Sequence, residues 1–192
     1  MPLLLETIRI HNGEIENLEY HQQRFDHSRK VLFGDTSTLN LKSKIIAPPH
    51  GLIRCRILYD TDIRSVEYIP YTPRDLKTFT VVKSDIDYSH KFADRSMLEN
   101  LKSLYPQSDE IIIEKDGYLT DTTISNIAFL KDGGWITPSN PLLHGTMRAK
   151  LLKEGFLKER PICKEEISSF QGFALINAMI GFVPINDFHI KG

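Results

Sequence analysis

Leu4, Ile8 and Ile10 keep one phase of a two-residue period across Leu4 to Ile10, which predicts a strand. Asn12-Gly13 is a turn pair that accepts positive φ, so a hairpin to Glu14-Ile15-Glu16 should follow. The period then changes. His21, Arg24, Phe25, Ser28 and Leu32 recur at helical spacing and predict a helix over residues 20–33. An arginine on a core-facing stripe is unusual, and the plain reading pairs it with an acid such as Asp26 or Glu19. Residues 35–47 read as a second short helix capped by Thr36 or Ser37. Residues 52–59 and 63–71 alternate again and predict two strands joined through Asp60-Thr61-Asp62.

Pro70, Pro73 and Arg74-Asp75 break the pattern before a strand that starts at 79–82. Residues 84–90 form a polar connector, and the domain boundary is placed there, giving domains 1–85 and 86–192. Met97, Leu98, Leu101 and Leu104 predict a helix over 94–105, and 110–114 is a short apolar strand. Past Gly117, Asp121 lies in a run of small polar residues. A hairpin then joins 124–131 to 135–137 through Asp132-Gly133-Gly134. His144-Gly145-Thr146 opens a helix over 147–154, whose first backbone N–H groups suit an anion such as phosphate. The chain closes with a strand at 160–163, a helix near 164–170, a strand at 173–176 and the run Val183-Pro184-Ile185.

The 192 residues suffice for one or two domains with a sizeable core. A net charge of −1 offers no electrostatic case for nucleic acid or an anionic membrane as partner. Cys55 and Cys163 form no metal-ligand or disulfide framework and read as free thiols in a reducing, cytoplasmic setting. The opening Met1-Pro2-Leu3-Leu4-Leu5 is too short for a signal peptide. The apolar run 173–185 is broken by Asn177, Gly181 and Pro184 and is too short to span a bilayer.

Several spaced elements agree in order: Leu5-Glu6-Thr7-Ile8-Arg9, His21-x-x-Arg24, Lys91-x-x-Asp94-Arg95, Thr120-Asp121, Ser125-Asn126, Thr137-Pro138, Gly145-Thr146-Met147-Arg148 and Asn177-Ala178. Together they resemble the class IV pyridoxal-phosphate enzymes, which include branched-chain and D-amino acid aminotransferases and aminodeoxychorismate lyase. The resemblance spans residues 5–185. It implies an α+β, two-domain D-amino acid aminotransferase-like chain of fold type IV. The N-terminal domain would be small and the C-terminal domain larger and barrel-like, carrying the catalytic lysine, with pyridoxal 5'-phosphate in the cleft between them. A homodimer acting on a small amino compound is implied as well.

Site roles follow from the same resemblance. Lys91 would carry the cofactor covalently and shuttle protons; partial burial at a domain edge can lower a lysine's pKa. Asp121 would pair with the pyridine nitrogen. Arg24 would grip the phosphate, with His21 direct or structural beside it. Thr146 and Met147 would give backbone N–H groups to the phosphate, and Asn177 and Ala178 would close its other side. Leu143 would pack on one face of the ring. Read singly, Lys91 is a surface lysine, Leu143 is core, and Asp121 caps N–H groups in a turn. The chain departs from the family in having Asp121 for Glu and Leu5 for Phe or Tyr, and in its short N-terminus. The Lys91-x-x-Asp94-Arg95 and Asn177-Ala178 motifs favour the lyase branch, which releases pyruvate and forms 4-aminobenzoate for folate biosynthesis. The alternatives are an amino acid aminotransferase using 2-oxoglutarate and a catalytically silent binding homologue.

Overall fold

A computed structural model describes every residue from Met1 to Gly192, and the chain divides into two units. The first comprises Met1–Pro73 and His90–Asp94; the second comprises Arg74–Ser89 and Arg95–Gly192.

In the first unit, β1 (Leu4–His11) turns through Asn12 and Gly13 into β2 (Glu14–Ile15). Both turn residues have positive φ, at 49° and 85°, which asparagine and glycine tolerate best. Helix α1 (Leu18–Phe33) follows and ends at Gly34, whose N–H reaches back to the Arg29 and Lys30 carbonyls. Strands β3 (Leu52–Tyr59) and β4 (Ile63–Pro70) complete an antiparallel sheet in the order β2-β1-β3-β4. Leu4, Ile8, Ile10, Phe25, Leu41, Ile57 and Tyr59 are fully buried in one cluster, with the Phe25 and Tyr59 rings 4.5 Å apart.

Helix α1 starts two residues earlier than its stripe suggests, and its buried side is His21, Phe25, Ser28 and Arg29. The expected helix over 35–47 shrinks to one 3-10 turn, Leu41–Lys44, capped by the Asn40 side chain. Local polar bonds explain the loss. Asp35 accepts the Ser37 N–H at 2.8 Å, and buried Arg29 takes the Ser37 carbonyl and hydroxyl at 2.8 and 2.7 Å.

Segment His90–Asp94 joins this unit because its backbone is stitched to β1. The Leu5 N–H donates to the Lys91 carbonyl, and the Ala93 N–H donates to the Leu3 carbonyl, both at 2.9 Å. A bridge at Leu4 and Phe92 lies between them. The boundary expected at Asp85/Ile86 therefore falls inside the second unit, and Lys91 sits in the first.

The second unit holds β5 (Thr78–Lys83), α2 (Ser96–Ser103), β6 (Glu110–Lys115), β7 (Tyr118–Thr122), β8 (Asn126–Lys131), β9 (Gly134–Pro138) and α3 (Thr146–Lys153). It continues with β10 (Leu157–Arg160), β11 (Gly172–Asn177), β12 (Gly181–Ile185) and β13 (His189–Lys191). The main path of its mixed sheet runs β10-β9-β8-β7-β6-β5-β13, and β11 branches from β8 to carry β12. Phe79, Ile112, Ile127, Phe129, Phe173 and Leu175 form the centre of its core. Strand β10 ends at Arg160, earlier than the expected 160–163, because Pro161 has no N–H to continue the parallel ladder with β9. The expected terminal helix is a 3-10 segment, Lys164–Ser169. No helix is long and apolar enough to cross a membrane.

Strands β7 and β8 meet at a single register pair, Asp121 opposite Asn126. Between them the chain turns sharply. Thr122 Oγ1 accepts the Ser125 N–H at 2.9 Å, while the Thr122 N–H donates to the Ser125 carbonyl at 2.9 Å. The small polar run is thus a tight strand-to-strand joint.

Candidate functional site

One polar group lies in the first unit. Glu6 sits on the core side of β1 between Leu4 and Ile8 and is fully buried. Its two oxygens accept Arg24 Nε at 2.8 Å and Arg24 Nη2 at 2.6 Å, a bidentate pair. His21, one turn earlier on α1, places Nδ1 2.6 Å from Glu6. Burial alone would push Glu6 up, but the Arg24 charge and the His21 and Arg24 hydrogen bonds overcome it and hold the carboxyl at about 2. Burial lowers His21, opposed by its bond to Glu6, and the Lys91 charge lowers it further. So Arg24 and His21 gather around one buried acid, and the Lys91 charge is felt at His21. The partner proposed from residues alone, Asp26 or Glu19, is not the one Arg24 uses.

The other group lies in the second unit at the β7–β8 joint. Asp121 is 4% exposed. Its Oδ1 accepts Asn126 Nδ2 at 2.7 Å, and its Oδ2 accepts the Leu143 N–H at 2.9 Å. No lysine or arginine lies within ion-pair distance of it. Burial pushes this carboxyl up to about 7, against the pull of the two donors and the more distant Arg148 charge. Asn126 Nδ2 also donates to the Leu143 carbonyl at 2.8 Å. Two residues on, Gly145 caps α3 with no side-chain hydrogen bond. A Cβ there would lie 2.0 Å from Asn126 Oδ1, so only glycine fits.

At the end of β11, the Asn177 side chain is saturated. Its Nδ2 donates to Ser125 Oγ at 2.9 Å and the Ile124 carbonyl at 3.3 Å, and its Oδ1 accepts the Met179 and Ile180 N–H groups. It ties the β11–β12 turn to the β7–β8 joint. Arg95, opening α2, donates to the Thr123 carbonyl at 2.9 Å and braces the same joint.

The structure therefore brings Asp121, Leu143, Thr146, Met147, Asn177 and Ala178 onto three connected loops of one unit. It gathers Arg24 and Lys91 in the other unit. The Met147 side chain packs in the core beside Ala128, Leu157 and Ile176, which leaves its backbone for the expected phosphate contact. Two residues had no assigned role in the sequence reading: Glu6 and Asn126. Glu6 carried a signal, as a lone acid in phase with Leu4, Ile8 and Ile10. Asn126 carried none beyond its place at the end of the small polar run.

Known proteins place the chain. The model of the amino-transferase class IV family matches residues 94–188. An uncharacterized protein of Haemophilus influenzae is 41% identical over 184 residues, covering 93% of this chain and 98% of that protein. A crystal structure described as a "putative 4-amino-4-deoxychorismate lyase" from Haemophilus somnus 129PT is 39% identical, with a TM-score of 0.87 over 94% of this chain and 98% of that one. A hypothetical aminotransferase from Mycobacterium tuberculosis in its PLP-bound form shares the fold, with a TM-score of 0.80 at 16% identity over 100% of this chain and 82% of that one. The fold is that of the fold type IV enzymes. The chain belongs to the class IV aminotransferase family, which is pyridoxal-phosphate-dependent.

Proposed function

We propose that this chain is a pyridoxal-phosphate-dependent lyase of the aminodeoxychorismate type, releasing pyruvate and forming 4-aminobenzoate. The observation that carries the reading is Asp121. It is a buried carboxyl with two N–H donors, no contacting cation, and a pKa raised to about 7. Such a group ionises most readily against a positive partner, and a protonated pyridine nitrogen is one. The donor set fits the rest of the cofactor. An α-helix start without a side-chain cap suits its phosphate.

Bound there, the cofactor would supply an electron sink for the substrate carbon. The chain's own residues divide the remaining work. The α3 start would hold the phosphate in the second unit, and Arg24, which Glu6 fixes in one orientation, would be the first unit's phosphate grip. Because the Asn177 amide is spent inside the protein, the β11–β12 turn contributes through the Ala178 backbone. Leu143 would cover one ring face. Lys91 would carry the cofactor, and its Nζ would take and return the substrate proton. The Lys91-x-x-Asp94-Arg95 and Asn177-Ala178 motifs support the lyase over the aminotransferase, as does the description of the 39% identical relative. The functional protein is a homodimer in this reading, which light scattering checks.

The test offers purified protein aminodeoxychorismate in one assay and amino donors with 2-oxoglutarate in another. Pyruvate without glutamate is expected, and borohydride should fix the cofactor on the Lys91 peptide. Glutamate instead would replace the lyase with an aminotransferase. Label on another lysine would end the assignment of Lys91.

A further inference from the structure

Asn126 makes more of the second unit's site than any role assigned so far. Its amide nitrogen bridges two acceptors, Asp121 Oδ1 at 2.7 Å and the Leu143 carbonyl at 2.8 Å. Both are oxygen acceptors, so the NH₂ end must face them and the amide orientation is unambiguous. The other end, Oδ1, fills the space beside Gly145 where a Cβ would come within 2.0 Å. One buried side chain thus touches strand β7, the loop before α3 and the α3 cap.

We propose that Asn126 is a positioning residue whose amide locks Asp121, Leu143 and Gly145 into one rigid unit, setting the carboxyl to meet the cofactor's ring nitrogen. This inference rests on the pyridoxal-phosphate reading above. The physical argument is one of preorganisation. A carboxyl with two lone-pair faces per oxygen can point in many directions when its donors are mobile water molecules. Here both donors are fixed: one is the Leu143 backbone, and the other is an amide itself clamped to Leu143. The bonds leave Asp121 no independent rotation, so ring partner, ring face and phosphate cap move together or not at all. Arg148, whose charge acts on Asp121, sits elsewhere, donating to the Pro138 carbonyl and Glu159. No ion pair competes with Asn126 for the carboxyl.

The test compares binding of two probes to the cofactor-free protein by fluorescence titration. One is pyridoxal 5'-phosphate; the other is its 1-deaza analogue, in which a C–H replaces the ring nitrogen. Wild type should prefer the natural compound. In Asn126→Ala and Asn126→Asp that preference should shrink about tenfold or more, the cost of a lost bond to a charged group, with affinity for the analogue falling much less than affinity for the natural compound. Asn126→Asp keeps the side-chain shape, so it decides the matter if the alanine variant fails to fold. Equal losses for both probes would reduce Asn126 to a structural residue and overturn the proposal. So would no loss for either, or failure of both variants to fold. Wild type that binds both probes equally would instead sink the ring-nitrogen role of Asp121, and with it the functional reading itself.

Discussion

Replacing Glu6 with glutamine tests the buried ion cluster directly. Glutamine keeps the shape of the side chain but has one oxygen where three donor contacts converge, from Arg24 Nε, Arg24 Nη2 and His21 Nδ1. It also leaves the Arg24 guanidinium, only 13% exposed, without its counter-charge. Two routes give the magnitude. Moving a carboxyl from 4.5 to about 2 on folding corresponds to roughly 3 kcal/mol, at about 1.4 kcal/mol per pH unit. Breaking a buried pair by removing one partner costs about 3–5 kcal/mol. Glu6→Gln should therefore lose about 3 kcal/mol at pH 7, measured by urea denaturation with linear extrapolation. The sign with pH is fixed. A depressed carboxylate stabilises the fold above its unfolded value and loses that contribution as pH falls through its folded value. The gap between wild type and variant should be full above about pH 4.5 and close as pH falls towards 2. A gap under about 1 kcal/mol at pH 7, the range of a surface pair, would refute the reasoning. So would a gap that does not change between pH 4.5 and 2.5.

Asp121 has the opposite sign. Its carboxyl is raised from 3.8 to about 7, so its contribution is full below 3.8 and lost as pH rises through 7. Thermal melts of cofactor-free Asp121→Asn against wild type should shift in the variant's favour between pH 4 and pH 9. Gly145→Ala drives a Cβ into Asn126 Oδ1 and should cost about 1–3 kcal/mol in chemical denaturation, with the penalty reduced when Asn126→Ala is added. Arg29→Met strips donors from the Thr61 and Ser37 carbonyls and from Asp35, and should cost about 3 kcal/mol or more by the same measurement.

Where periodicity was strong, the fold was legible before any coordinates. Strands β1, β3 and β4 and helix α1 sit where alternation and stripe placed them, to within two residues. Strand β7 was not, because Thr120, Asp121 and Thr122 are small and polar yet buried, and no hydrophobic pattern marks them. The 35–47 segment misled for the converse reason. Its cap residues were real, but Asp35 and Ser37 bond to each other and to Arg29 rather than to a helix. At the candidate site, ordered motifs pointed to Asp121 and the α3 start, which the structure joins through the Leu143 N–H. Glu6 and Asn126 escaped because each works through partners brought in by folding: Arg24 is 18 positions from Glu6, and Leu143 is 17 from Asn126. Linear spacing holds no record of such pairings.

The stitching of His90–Asp94 to β1 bears on how this protein can be cut. An excised fragment ending at Pro73 would look like a finished sheet with its helix. It would nevertheless leave the Leu3 carbonyl and Leu5 N–H unpaired beside the apolar Leu3-Leu4-Leu5 run. An open, apolar strand edge of that kind invites pairing with a second chain. The expected fate of the fragment is aggregation. A fused or separately added peptide spanning His90–Asp94 should be the piece that restores solubility.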